Sequence, residues 1–382
     1  MSPDTNGAPP ASHTQLRLPA LDGLRGCAAL SVVLAHLSVN IGLLPYGPGA
    51  VCGVLVFFVL SGYLIARIVW SLPPTVASYR TFIAKRMRRL LPALSALCLA
   101  GLPLMVLAGR EPIGNALLNV ALAATQTTAF AWTAGAEVHP AWSPTWSLSV
   151  EWTFYLVAPI LLIRFRRRSL GGRQAVLVLS FVAAMLYAVA LFVPPRAFYL
   201  LPLANLAIMF LGASLALSHV AGSDPGILRV RPGTPVLGSL LLVVIAVLPA
   251  YTLATSYRLL TLPAVALATL LVIHQVRNGG PLVGVLSSRV LRGVGVRAYS
   301  IYLWHLPVLW VAWANLTDHN PFLVSLVGLA ALVPVVEVSY RLLERPFMGT
   351  SVRGTEVSVP ALPRAMRSHT APMVPTERTE AC

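Results

Sequence analysis

From Gly26 to Tyr340 the chain repeats one pattern: an apolar run of close to 20 residues, then a short stretch in which arginine, glycine and proline collect. Wound as an α-helix, such a run matches the roughly 30 Å hydrocarbon core of a bilayer. Eleven segments of this kind begin near Gly26, Val51, Leu90, Ile113, Ser147, Ala175, Leu200, Val236, Arg258, Arg297 and Phe322. The basic stretches between them test whether all eleven cross. Arg67–Arg89 carries Arg67, Arg80, Lys85, Arg86, Arg88 and Arg89, and Arg164–Arg173 carries Arg164, Arg166, Arg167, Arg168 and Arg173. Basic loops stay on the cytoplasmic side, so an even number of crossings must separate these two. Three segments lie between them. The weakest, Ile113–Trp132, holds Asn115, Asn119, Thr125, Gln126, Thr127 and Thr128. It is expected to be re-entrant or external and packed against protein.

The pattern therefore predicts an all-α polytopic membrane protein with about ten transmembrane helices and one re-entrant or external apolar segment. Residues 18–348 form the transmembrane unit. Residues 1–17 and 349–382, rich in Pro, Ser, Thr and Arg, read as disordered cytoplasmic tails too short and polar for a soluble domain. No cleavable leader is expected, because the polar start precedes an apolar run too long for a signal peptide. Localisation in the cell (inner) membrane with both termini cytoplasmic follows.

Composition narrows the function classes. Only 10% of the 382 residues are charged, against 57% hydrophobic, where a soluble domain carries about 25% charged residues. The net charge of +16 is almost wholly arginine, since Lys85 is the one lysine. Nucleic-acid binding is excluded as its cause: the arginines sit in short stretches between apolar runs, where membrane orientation and lipid headgroups account for them. Cys27, Cys52, Cys98 and Cys382 form no CxxC and lie at no ligand spacing from histidine, so neither a metal site nor a disulfide framework is indicated.

Against this background the polar residues inside apolar runs stand out, since an ionisable group at that depth is costly and marks function by default. Arg25 and His36 fall in the first span. Eleven residues at 100° each place them on one face, about 16 Å apart, with Arg25 near the cytoplasmic mouth and His36 towards mid-bilayer. Asp22, one turn earlier, can pair with Arg25. Ser61-Gly62 allows close helix approach. Arg86 and Arg88 belong to a cation cluster that topology and headgroups alone would also explain. Glu151 sits one turn inside the outer end of its helix. His305, in a Tyr/Trp/His/Pro stretch, fits interfacial packing and site lining equally. Glu337 and Arg341 are expected to pair at i,i+4, and Glu344–Arg345 to neutralise itself at a helix end.

Taken in order, "LDGLRG…VVLAHL", "GVLVFFVLSGYLI", "FIAKRMRRLLP", "WSLSVEWTFYL", "YSIYLWHLPV" and "ERPF" resemble the membrane acyltransferase-3 family of integral membrane O-acyltransferases. The resemblance covers nearly all of residues 18–348. It implies transfer of an acyl group, usually acetyl, from cytoplasmic acyl-coenzyme A to a hydroxyl of a glycan, glycolipid or secondary metabolite such as a macrolide. Arg25 and His36 match the family's Arg-x10-His pair, Arg86 and Arg88 its Arg-x-Arg pair, and Glu151 its Val-Glu carboxylate. The family's second carboxylate is here Trp152, which leaves Glu151 alone. An esterase-like domain, fused to some members, has no counterpart in these motifs.

The elementary chemistry agrees. Arginine forks recognise the phosphates of coenzyme A, and an acceptor alcohol needs a base that histidine supplies near neutral pH. Arg25, Arg86 and Arg88 are thus expected to hold the donor. His36 is the expected general base, assisted by Arg25, with Glu151 either its partner, orienting the imidazole or stabilising its cation as third members of triads do, or a second polar catalytic group. Ser61, Tyr302 and His305 are candidates for lining the substrate path. No permanently bound cofactor or metal is expected; acyl-coenzyme A is a co-substrate. The rival class is a transporter or flippase, which paired Gly/Pro-interrupted segments in the two halves would signal; none is visible.

Overall fold

The computed structural model describes residues 18–43, 48–221, 234–247 and 253–348, so the two expected tails lie outside the described residues. In chain order the helices are α1 Pro19–Asn40, α2 Pro48–Ser71, α3 Val76–Leu107, α4 Ile113–Ala124, α5 Thr128–Thr133, α6 Thr145–Arg167, α7 Gly172–Ala190 and α8 Pro195–Leu200. They continue with α9 Pro202–Val220, α10 Thr234–Val247, α11 Leu262–Arg277, α12 Leu282–Leu286, α13 Arg289–Val296, α14 Ala298–Asn315 and α15 Pro321–Ser339. A π-helical turn, Tyr340–Glu344, follows α15. Among the described residues there is no strand, as expected of a chain that spans a bilayer with helices.

Eight helical stretches are long and apolar enough to cross a membrane. The two further spans counted from sequence correspond to α10 and α14. They fall short by that measure, because α10 has 14 described residues and α14 carries Tyr299, Tyr302, His305 and three tryptophans. The segment expected not to cross is broken in two. Its first piece, α4, has 12 residues and so reaches only about 18 Å. The chain then turns at Gln126, whose φ is 60°, a conformation that L-residues rarely adopt. Buried Glu111 pins this region: its carboxylate accepts from Trp142 Nε1 at 3.0 Å and from Asn119 Nδ2 at 3.1 Å. Burial pushes the Glu111 carboxyl up from its usual range, and these two donors oppose that shift.

Side-chain contacts at the opposite ends fix the parity. Arg166 Nη1 donates to the carbonyls of Trp70 and Leu72, and Arg167 Nε donates to that of Pro74 at 2.7 Å. The end of α2 and the end of α6 therefore meet on one side. Between them α3 and α6 cross, and α4–α5 does not.

The basic stretches themselves are not loops. Arg80 to Arg89 lie inside α3, a 32-residue helix about 48 Å long. Its N-cap Thr75 accepts from Ser78 N at 3.1 Å, and its Arg, Lys, Ala, Met and Leu residues are all good helix formers. Arg164, Arg166 and Arg167 likewise belong to the last turn of α6.

Small residues set the closest approaches. A Cβ on Gly62 of α2 would lie 1.9 Å from the Met209 carbonyl oxygen of α9, and one on Gly295 of α13 would lie 1.7 Å from that of Asp22 on α1. Backbone contact this close needs glycine. At the far end, Glu337 pairs with Arg341 as expected, and it also accepts two bonds from Arg297, at 2.6 and 3.1 Å. Glu344 departs from expectation. It is fully buried and bonded to Ser300, while Arg345 is exposed, because the π-helical turn rotates Glu344 into the bundle.

Candidate active site

Five helices bring polar side chains to one cavity. Arg25 comes from α1, Ser61 from α2, Arg86 and Arg89 from α3, Ser147, Glu151 and Tyr155 from α6, and Tyr299 and Tyr302 from α14. The space between these side chains is about 720 Å³ including its open mouth. Three guanidiniums and one carboxylate are its charged lining. Arg86 stacks over the rings of Phe82 and Tyr155, 5.5 and 5.4 Å from their centroids, a geometry that holds its position. Arg25 lies 3.8 Å from Asp22. Glu151 accepts a hydrogen bond from Ser61 at 2.8 Å, so Ser61 fixes the carboxylate as well as permitting close helix approach.

Arg86 and Arg89 share the cavity because they are three residues apart on a helix, whereas Arg88, two residues on, points away. Arg88 is exposed and does not line the cavity. The expectation that Arg86 and Arg88 act together assumed a loop, where helical phase has no meaning. Arg89 was the missed residue. Phase along α3 would have found it.

His36 lies in a neighbouring layer. α1 ends at Asn40, so His36 is about 6 Å from that end and Arg25 about 9 Å from the other. The imidazole is thus nearer the end of α1 than its middle. Its Nδ1 is 2.8 Å from the carbonyl of Val32; a carbonyl only accepts, so Nδ1 carries the hydrogen and Nε2 keeps a basic lone pair. His305 has the same arrangement against the Tyr302 carbonyl at 2.8 Å. It is fully buried, its Nε2 has no partner among the described residues, and its ring lies 5.1 Å from that of His36. The Tyr302 ring, 5.7 Å from His305, connects the histidine pair to the cavity. The Tyr302 hydroxyl is held by Ser147 at 2.6 Å and the Pro144 carbonyl at 2.9 Å. Glu151 does not reach the imidazole as a triad carboxylate would: its partner is Ser61, and the Val32 carbonyl orients His36 instead. Among the described residues, no three His, Cys, Asp or Glu side chains are arranged to hold a metal ion.

A family model described as an acyltransferase domain matches residues 18–340. The chain belongs to the acyltransferase-3 family. Similar proteins include the "Putative peptidoglycan O-acetyltransferase" of Bacillus subtilis, 29% identical over 86% of this chain and 54% of its own length. Another is the "Peptidoglycan O-acetyltransferase" of Listeria monocytogenes, 26% identical over 87% of this chain and 56% of its own length. The chain thus spans little more than half the length of these relatives. No solved structure matches it. Arg25 and His36 both lie on α1, and Glu151 lies on α6. Arg25, Arg86, Ser61, Glu151 and Tyr302 meet at one cavity, His36 and His305 pair beside it, and Arg88 stands apart.

Proposed function

We propose that this chain is a membrane O-acyltransferase that moves an acyl group, acetyl in the simplest case, from acyl-coenzyme A to a hydroxyl of a glycan acceptor. The convergence of Arg25, Arg86 and Arg89 on one cavity carries the reading. Three guanidiniums lining one cavity suit the pyrophosphate and 3′-phosphate of coenzyme A. With the nucleotide held there, the pantetheine arm runs past Tyr302 towards His36, about 16 Å from Arg25 along α1. His36 Nε2 takes the proton of the acceptor hydroxyl, the hydroxyl oxygen attacks the thioester carbonyl, and the C–S bond breaks. The thiolate that leaves recovers the proton from the imidazolium, so no net proton is produced. The glycan class follows the peptidoglycan relatives by name.

Donor saturation in nanodiscs tests the arginine clamp. Each charge-assisted contact contributes about 1.5–3 kcal/mol, so Arg86→Gln and Arg89→Gln should raise the donor KM by roughly ten- to a hundredfold. Arg88→Gln, on the exposed face, should stay within about twofold of wild type. An unchanged donor KM in both Arg86→Gln and Arg89→Gln removes the clamp.

The reading also requires the basic ends of α3 and α6 to face the cytoplasm, where acyl-coenzyme A is supplied. Single cysteines at positions 80 and 168 should be shielded from an impermeant label applied outside intact cells, and one at position 318 should react. Outside labelling at position 168 would reverse the orientation and put the cavity mouth on the wrong side for the donor.

A further inference from the structure

We propose that the niche between the start of α3 and the end of α6 binds one anionic phospholipid, with the lipid phosphate seated between Arg164 and Arg167. α3 contributes Val76 and Tyr79 to it, and α6 contributes Ile160, Ile163, Arg164 and Arg167. The cavity is about 220 Å³, many times what a single water needs. It shares no residue with the arginine cavity described above.

The α6 side uses one spacing twice. Ile160 and Arg164 are four residues apart, as are Ile163 and Arg167, so each guanidinium stands one turn beyond an isoleucine on the same face of the helix. α6 crosses the bilayer and ends in these arginines. The isoleucines therefore lie at acyl-chain depth and the guanidiniums at the level of the headgroups. Val76 and Ile160 are 55% and 54% exposed, apolar surface that suits a lipid chain and not water. Tyr79 is half-buried, and tyrosine favours the same interfacial depth.

The walls are fixed from two sides. Arg167 Nε donates to the Pro74 carbonyl at 2.7 Å, which ties the end of α6 to the residue before the α3 cap without using the two Nη groups. One turn along α3, Phe82 packs on Tyr155 of α6, ring centroids 6.4 Å apart. Arg166 is turned elsewhere, onto the Trp70 and Leu72 carbonyls. Among the described residues no carboxylate pairs with Arg164 or Arg167. Two guanidiniums without an internal counterion select a net-negative headgroup over phosphocholine, whose own ammonium offsets its phosphate.

Native mass spectrometry of the full chain in detergent tests this, with phosphatidylglycerol, phosphatidylcholine of the same acyl chains and inorganic phosphate as probes. One arginine beside an anionic headgroup contributes about fivefold in affinity. The first phosphatidylglycerol should therefore bind wild type about 30-fold more tightly than phosphatidylcholine. Arg164→Gln should cut that preference about fivefold, and adding Arg167→Gln should abolish it. Arg168→Gln, exposed and outside the niche, should keep it. Where the double variant does not accumulate as folded protein, Arg164→Gln alone carries the test, since it leaves the Pro74 bond intact. Inorganic phosphate at equal concentration should not displace the lipid, because it gains nothing from Val76 and Ile160. Full preference retained without Arg164 would place the lipid elsewhere. An equal loss in Arg168→Gln would reduce the effect to diffuse attraction, and displacement by phosphate would make the niche an anion site. Any of these three results overturns the proposal.

Discussion

Replacing His36 by alanine is expected to lower turnover by about 10²–10⁴-fold, the usual contribution of a placed general base, with the donor KM unchanged. Nδ1 is committed to the Val32 carbonyl, which leaves Nε2 as the one nitrogen able to accept the hydroxyl proton. His305 does not replace it: that imidazole is fully buried, whereas His36 is partly exposed. His36 is away from the arginine cavity, so donor binding should survive its loss. Imidazole added to the medium should restore part of the turnover by occupying the space the side chain leaves. Turnover close to wild type in a folded His36→Ala protein would take the histidine out of the chemistry.

The architecture was legible in the sequence to the extent that bilayer physics dictates it. Apolar runs of fixed length give helices, and arginine asymmetry gives their parity. Even the non-crossing Ile113–Trp132 segment follows from its polar content and appears as α4 and α5, pinned by Glu111. Local geometry was less visible. Treating residues 67–89 as a loop hid the phase of α3 and so exchanged Arg88 for Arg89. Glu344 and Arg345 look like a self-neutralising pair because adjacency in sequence is visible, whereas a π-helical turn that separates them is not. Arg25, His36 and Glu151 stood out as charges in apolar runs, but which of them touch depends on how α1, α2, α3, α6 and α14 meet. Nothing local to each helix encodes that. The result is a different partner for Glu151: Ser61 and the arginine cavity, not His36.

That changed partner sets what Glu151→Gln should do. Among the described residues lining the cavity, Glu151 is the carboxylate facing Arg25, Arg86 and Arg89. With the donor absent it is the negative charge inside the cavity, while Asp22 lies 3.8 Å from Arg25. Its removal leaves like charges facing one another in a partly dry space, and losing a charged partner there costs about 1–3 kcal/mol. Glu151→Gln should therefore melt at a lower temperature than wild type when purified without donor. Coenzyme A brings its own anionic groups to the same guanidiniums, so the variant should bind it more tightly, by about ten- to a hundredfold if that whole difference returns on binding. Saturating coenzyme A should then raise the variant's melting temperature more than the wild type's. A triad carboxylate acting on His36 would behave otherwise: stability and coenzyme A affinity would stay at wild-type values while turnover collapsed. That second pattern would return Glu151 to the proton-transfer step and leave the cavity's charge balance to be carried by the donor alone.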